Sequence, residues 1–213
     1  MNTLAEKNSQ EINKILAKYP PDHKRSAVMP LLYLAQREHG YITKQAINDI
    51  AELIGITSTD VASIVGFYTL YHDHPGGKYR IQVCNDLPCA LRGADQFLNA
   101  LCDNLAIQVG ETTSDGLVTV EAVMCLAGCD KAPLFQVQTG DGLTYYENQS
   151  LDSTLAMIET WREEGRSQRE TTKGKTQVAE QATAGEQLAE IAEEGLTSLT
   201  QEERILIQEQ GGQ

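Results

Sequence analysis

The chain has 213 residues, of which 41% are hydrophobic, and this length can bury one or two modest cores. Its formal net charge of −13 argues against a nucleic-acid partner, because nucleic-acid affinity depends on Lys and Arg neutralising phosphates. Apolar runs stay far below the roughly 20 residues of a membrane span and the first residues lack a signal-peptide pattern, so we expect a cytoplasmic protein without direct membrane insertion.

Residues 1–74 are predicted to form an N-terminal helical bundle. Apolar side chains recur at helical spacing in four stretches, which breakers such as Pro20-Pro21, Gly40 and Gly55 separate. We expect helices over 11–19, over 24–39 and after Thr43. A fourth helix is expected to open with the capping residues from Thr57 and to continue as far as Tyr71. The pair His72 and His74 is interpreted as a solvated turn.

Residues 75–164 are predicted to form a second, α/β domain. After the turn at 75–78, apolar residues alternate as in strands, and a helical pattern follows the first of them. The expected elements are strands over 79–83, 118–123, 134–137 and 144–146, a helix over 90–105 and a final helix ending near Trp161. Together they indicate a four-stranded mixed sheet flanked by helices.

Residues 165–213 are predicted to be an acidic, largely disordered tail with possible short helices. This segment is rich in Glu, Gln, Ser and Thr and has little to bury at its start. Leu188 and Ile191 lie at helical spacing, and 200–203 resembles a capping box, but helices this short rarely hold alone.

Four cysteines are the candidate metal ligands. Cys84 and Cys89 form a C-x4-C pair, Cys125 and Cys129 form a C-x3-C pair, and each pair follows a predicted strand. In a reducing compartment, clustered cysteines are metal ligands more often than disulfides. The fifth, Cys102, lies on the buried stripe of a predicted helix and is interpreted as a core thiol.

The spacing favours a [2Fe–2S] centre over its alternatives. Structural zinc usually takes C-x2-C knuckles, and a thioredoxin-type disulfide needs C-x-x-C, so neither pair has the expected spacing. A cysteine nucleophile needs a positioned base, and no His lies near either pair in sequence. Zinc, free thiols and disulfides remain as the alternatives to iron–sulfur ligation.

A cluster held by four thiolates is an anion, so it needs donors and cations nearby. We expect backbone amides of Ala90 and Leu91, at a helix start, to point towards it. The cations adjacent to the cysteines are Arg92 and Lys131, which we expect to tune its reduction potential.

The sequence also lacks nucleotide-binding motifs. Neither a G-x-G-x-x-G run after a strand nor a P-loop occurs. A chain with one one-electron centre and no hydride-handling cofactor fits the role of a relay better than that of a complete enzyme.

The motifs resemble a known family. They are Tyr19-Pro20-Pro21, Gly40-Tyr41-Ile42, the run 65–69, the run 88–94, and the pair Cys125 and Cys129 followed by Ala132-Pro133. Over residues 11–161 the chain is similar to the thioredoxin-like [2Fe–2S] subunit of bacterial respiratory complex I, an NADH:quinone oxidoreductase.

The resemblance implies a thioredoxin-like ferredoxin domain with one [2Fe–2S] cluster on Cys84, Cys89, Cys125 and Cys129. It implies an electron-transfer subunit that is not catalytic alone and that exchanges single electrons with FMN on an NADH-binding partner subunit. Other peripheral-arm subunits are further expected partners, on the cytoplasmic side of the inner membrane. The alternatives are the diaphorase subunit of an NAD-linked hydrogenase or formate dehydrogenase, and a zinc-stabilised thioredoxin-like interaction module.

Overall fold

The structure, a computed structural model, describes residues 3–165. The predicted acidic tail lies outside the described residues, apart from its first position. Among the described residues, those up to Ile158 belong to one compact unit and those from Glu159 to 165 to a second. Within the described range, no helix combines the length and the apolar character needed to cross a membrane.

The N-terminal region is helical, as the sequence predicts. It contains α1 (Thr3–Leu16), a 3-10 helix (Pro21–Ala27), α2 (Val28–His39), α3 (Lys44–Ile54) and α4 (Ser58–Phe67). Several boundaries differ from the prediction. The first helix begins at Thr3 and ends at Leu16, whereas the sequence predicts it over 11–19. The stretch predicted to open the second helix is a 3-10 turn, and α4 ends at Phe67 because Tyr68 already has an extended backbone, so Tyr71 lies outside the helix.

Local capping explains where α3 and α4 begin. The Thr43 hydroxyl accepts a hydrogen bond from the Ala46 amide. Thr57 and Asp60 form a reciprocal capping box, in which each side chain accepts a hydrogen bond from the other residue's backbone amide. Both helices then bury one face, with Ile50 and Val61 fully enclosed in the bundle core.

The start of α1 is fixed by a residue from another helix. The Asp49 carboxylate, on α3, accepts hydrogen bonds from the Thr3 hydroxyl at 2.8 Å and from the Leu4 amide at 2.9 Å. Gln45 donates a third at 2.7 Å. The buried carboxylate therefore satisfies amides at a helix end, where backbone donors otherwise lack partners.

The predicted four-stranded mixed sheet is confirmed. Its strands are β1 (Tyr79–Cys84), β2 (Val118–Val123), β3 (Phe135–Thr139) and β4 (Gly142–Tyr146). They lie in the order β2-β1-β3-β4, with β1 and β2 parallel and the other pairs antiparallel. The chain therefore leaves β1 and β2 at the same edge of the sheet, and both cysteine pairs begin at this edge.

The helix predicted over 90–105 is two helices. The first, α5 (Leu87–Ala90), is a single turn, and α6 (Ala94–Leu105) follows it. Gly93 separates them because its φ of +92° lies in the left-handed region, which glycine adopts without steric cost. The last helix, α7, is described over residues 151–165.

A buried polar network ties the helical region to the sheet. His72 Nε2 lies 2.8 Å from Gln138 Oε1, and the His72 amide donates to Gln36. Gln36 and Gln138 both donate to the carbonyl of Leu70. The interpretation of a solvated turn is therefore wrong for His72, which is buried, while His74 is exposed and pairs with Asp73. The boundary at residue 74 stays a prediction.

Candidate metal centre

Both cysteine loops begin side by side. Cys84, the last residue of β1, is paired in parallel register with Val123, the last residue of β2. The Asn85 amide continues this pairing by donating to the Val123 carbonyl at 3.1 Å. Cys125 thus emerges two residues beyond a direct neighbour of Cys84, although α5, α6 and β2 separate them in sequence.

Cys84 and Cys89 form the inner part of the site. Both are buried in a small apolar cluster, whose members are Cys84, Cys89, Ala94, Ala132 and Leu134. Burial, followed by the neighbouring thiols of Cys84 and Cys129, raises the pKa of Cys89 to about 12. The Cys89 thiol therefore holds its proton at neutral pH, and a metal that binds it has to displace that proton.

Cys129 and Cys125 form the outer part. Cys129 opens a 3-10 turn (Cys129–Lys131), is half-buried and reaches the Cys89 thiol. Cys125 is exposed. The structure thus places Cys89 close to Cys84 and to Cys129, and leaves the fourth predicted ligand, Cys125, exposed on the same side.

The donor set of this site is the four cysteine thiols. In the part of the chain that the structure describes, no group of three or more His, Cys, Asp or Glu side chains is arranged to hold one metal ion. In a [2Fe–2S] centre the four thiolates are shared between two irons, so they lie farther apart than the ligands of one tetrahedral zinc. Four soft thiol donors match iron–sulfur ligation, and structural zinc also takes four thiolates.

A glycine keeps the second cysteine loop close to the first. A methyl group built on Gly128 would lie 2.8 Å from Leu134 Cδ1, closer than real contacts allow. Leu134 in turn packs against the buried cysteines, and its carbonyl accepts a hydrogen bond from the Cys84 amide at 3.2 Å. Sequence reasoning missed Leu134, because nothing local marks a side chain that reaches the site from a third strand.

The predicted amide donors are not available as expected. The Ala90 amide donates to the Asp86 carbonyl at 2.9 Å, and the Leu91 amide donates to the Leu87 carbonyl at 3.0 Å. The prediction is wrong because α5 begins earlier, with Asp86 as its N-cap accepting from the Leu87 amide. A proline two residues after an aspartate was the signal for this earlier start.

The two candidate tuning residues occupy different environments. Arg92 Nε donates to the Ala132 carbonyl at 3.3 Å, so this side chain bridges from the first cysteine loop to the segment after the second. Lys131 Nζ lies 3.6 Å from a carboxylate oxygen of Glu147, which offsets part of its charge. Of the two, Arg92 is the cation with no carboxylate partner among the described residues.

Large apolar side chains flank the cysteines on the solvent side. Leu87 is 69% exposed and Leu91 is 80% exposed, on either side of Cys89, while Met124, next to Cys125, is 81% exposed. Exposed apolar groups in contiguous patches mark interaction surfaces more often than isolated ones do.

Cys102 does not take part in this arrangement. It is buried on α6 among apolar residues, and burial raises the pKa of its thiol. This placement agrees with its interpretation as a core thiol.

Comparisons with known proteins agree with this geometry. The family model described as thioredoxin-like [2Fe-2S] ferredoxin matches residues 12–162. NADH-quinone oxidoreductase subunit 2 of Thermus thermophilus is 41% identical over 145 residues, which cover 68% of this chain and 80% of that protein. A second NADH-quinone oxidoreductase subunit, from Rhizobium meliloti, is 37% identical over 153 residues, covering 72% and 88% respectively.

A solved structure shares the fold. The NAD+-reducing [NiFe]-hydrogenase in the air-oxidized state aligns with a TM-score of 0.54 at 21% sequence identity. The alignment covers 63% of this chain and 23% of the hydrogenase chain, so the matching region is a small part of a longer polypeptide. At this identity the likeness shows the fold alone.

Proposed function

The chain belongs to the thioredoxin-like [2Fe–2S] ferredoxin family, and we propose that it is the [2Fe–2S] electron-transfer subunit of an NADH:quinone oxidoreductase. The observation that carries this proposal is the meeting of Cys84, Cys89 and Cys129 at the edge of the sheet from which Cys125 also emerges. When bound, a [2Fe–2S] centre supplies one-electron transfer.

Cys84, Cys89, Cys125 and Cys129 would hold the cluster. The apolar side chains of Ala132 and Leu134 exclude water from the inner, buried pair. A dry inner side strengthens electrostatic interactions with the site, because the local dielectric is low there. The outer pair stays accessible, so electrons can be exchanged on that side.

The electron partner we propose is a subunit that carries FMN and binds NADH. The chain itself has no nucleotide-binding motif, so the hydride chemistry of NADH has to take place elsewhere. The exposed side chains of Leu87, Leu91 and Met124 lie within two residues of a cysteine and would provide an apolar surface for docking. The relatives named above are subunits of NADH-quinone oxidoreductases, which supports the same assignment.

Anaerobic purification followed by iron, sulfide and zinc analysis tests this proposal. We expect two irons and two acid-labile sulfides per chain and an S = 1/2 EPR signal on one-electron reduction. When the FMN-containing subunit is added, NADH should produce the same signal. One zinc per chain with no EPR signal would instead identify a zinc-stabilised interaction module.

A further inference from the structure

A groove lies at the junction between the helical region and the sheet, and none of the roles above uses it. Two adjoining cavities form it, of about 240 Å³ and about 220 Å³. The larger, the aromatic half, is lined by Met29, Tyr33, Tyr68, Tyr71 and Leu143. The smaller, the cationic half, is lined by Arg37, His72, Lys78 and Arg80. Tyr33, Gln138 and Thr139 line both halves, so the groove is continuous.

The cationic half of the groove carries one cation, Lys78, that lacks an ion-pair partner among the described residues. No Asp or Glu lines either half, in a chain whose formal net charge is −13. Arg37 pairs with Glu11 at 2.7 Å and Arg80 with Glu121 at 2.8 Å. Lys78 forms no ion pair within the described residues; its Nζ lies 5.3 Å from the centre of the Tyr79 ring. The cationic half therefore offers a charge that an incoming carboxylate can neutralise.

The aromatic half is exposed to solvent, and hydrogen bonds fix the backbone beneath it. Tyr33, Tyr68 and Leu143 are each more than 40% exposed. The Tyr71 hydroxyl donates to the Met29 carbonyl at 2.9 Å, and the Leu70 carbonyl accepts from both Gln36 and Gln138. These bonds fix the groove floor before anything binds, which lowers the entropy cost of docking.

A neighbouring strand edge favours a polypeptide as the occupant. β4 is the last strand of the sheet, and among the described residues it pairs with β3 alone. Its residue Leu143 lines the aromatic half. An open strand edge offers backbone donors and acceptors to an extended segment.

The groove and the cysteines lie at opposite edges of the sheet. Cys84 is the last residue of β1, whereas Lys78 directly precedes the first residue of β1. Because β3 is antiparallel to β1, its last residue, Thr139, lies at the same end of the sheet as Lys78. A partner whose contacts are confined to the cysteine edge therefore leaves the groove free. We propose that the groove binds a polypeptide segment, carrying an apolar side chain next to a carboxylate, from a subunit of the assembly other than the one that exchanges electrons with the cluster. This inference rests on the proposed function.

Charge-introducing variants test the groove. Leu143→Glu and Lys78→Glu are each compared with Val109→Glu, which places the same charge at a residue of similar exposure (46% against 43%) beside β2, at the far side of the sheet. The assembly is purified through a tag on this full-length chain. In the two groove variants, the amount of one co-purifying subunit other than the flavin subunit should fall at least tenfold. In Val109→Glu, the amount of every co-purifying subunit should stay unchanged.

Photo-crosslinking identifies the occupant. With p-benzoylphenylalanine in place of Leu143 in the assembled complex, mass spectrometry should find a crosslinked peptide that contains both an apolar residue and Asp or Glu. Unchanged assembly in both groove variants, a crosslink to a second copy of this chain, a peptide without a carboxylate, or no crosslink each overturns the inference.

Reduction of the cluster by NADH in the presence of the flavin subunit separates this inference from the proposed function. We expect both groove variants to keep that reduction, because the groove is far from the cysteines. Absence of the EPR signal in the unmodified chain is a failure of the proposed function. A normal signal together with unaffected groove variants is a failure of this inference alone.

Discussion

The thiol of Cys89 meets the thiol of Cys129, although the whole of α6 and β2 separates them in the chain. Parallel pairing of β1 with β2 produces this contact, because it returns the chain to the same edge of the sheet. A glycine and a leucine then close the gap between the two loops.

Substitution of the cysteines should separate ligands from packing residues. Cys84→Ala and Cys125→Ala should abolish the S = 1/2 EPR signal, since each removes a thiolate from the proposed set. Cys102→Ala should keep the signal and lower the free energy of unfolding by roughly 1–2 kcal/mol, as for many core substitutions. Loss of the signal in Cys102→Ala with retention in Cys125→Ala would reassign the ligands.

Arg92→Glu should lower the reduction potential while the cluster remains intact. Replacing a cation by an anion near a site that gains negative charge destabilises the reduced form, by on the order of tens of millivolts at an exposed position. Arg92→Lys is the matched control, because it keeps the charge but not the guanidinium that bonds to Ala132. Equal shifts in both variants, measured by EPR redox titration, would assign the effect to the hydrogen bond instead.

Gly128→Ala should weaken cluster retention. The added methyl group has to displace Leu134, which packs against both buried cysteines. Gly66→Ala is the control, since no atom lies within 4 Å of the added methyl group and the residue is helical. That change should raise the free energy of unfolding by up to about 1 kcal/mol. Visible absorbance per chain during anaerobic dialysis, together with thermal unfolding, measures both effects.

Asp49→Asn should destabilise the helical region at neutral pH and reduce its sensitivity to acid. Burial raises the pKa of Asp49, but hydrogen bonds from Leu4, Gln45 and Thr3 outweigh it, so the pKa lies below its ordinary value. A lowered pKa means that the carboxylate stabilises the fold above roughly pH 4 and that this stabilisation is lost on further acidification. The variant should cost about 1–2 kcal/mol at pH 7. Chemical denaturation at pH 7 and pH 3 measures this effect. An equal loss of unfolding free energy in the variant at both pH values would contradict the prediction.

His72→Gln should reduce the loss of stability that occurs as the pH falls below roughly 6.5. Burial lowers the pKa of His72, with further influences from Gln138, Arg80, Glu121 and His74. His72 in the unfolded chain then binds a proton more readily than His72 in the folded chain. The stability that neutral His72 contributes is therefore fully present above its pKa in the unfolded chain and declines as the pH falls below that pKa. An unchanged slope of unfolding free energy against pH in the variant would show that another group titrates.

The sequence predicts the elements of this fold well where local signals govern them. Thr43 and Thr57 mark helix starts through their own side chains, and alternating residues after Lys78 mark a strand. The burial of His72 could not be predicted, because its partners Gln36 and Gln138 come from distant segments. Likewise, the cysteine spacing indicates the kind of site, whereas Leu134 becomes visible only once β3 is placed beside β1.

The six-residue length of β1 sets a distance between two activities. At about 3.3 Å per residue, the strand holds its first and last residues roughly 17 Å apart. A segment that contacts Lys78 at the start of β1 is therefore held about one strand's length from the thiol of Cys84. Substitutions in the groove and substitutions among the cysteines therefore fall at opposite ends of the same strands, so each surface can change without direct contact with the other.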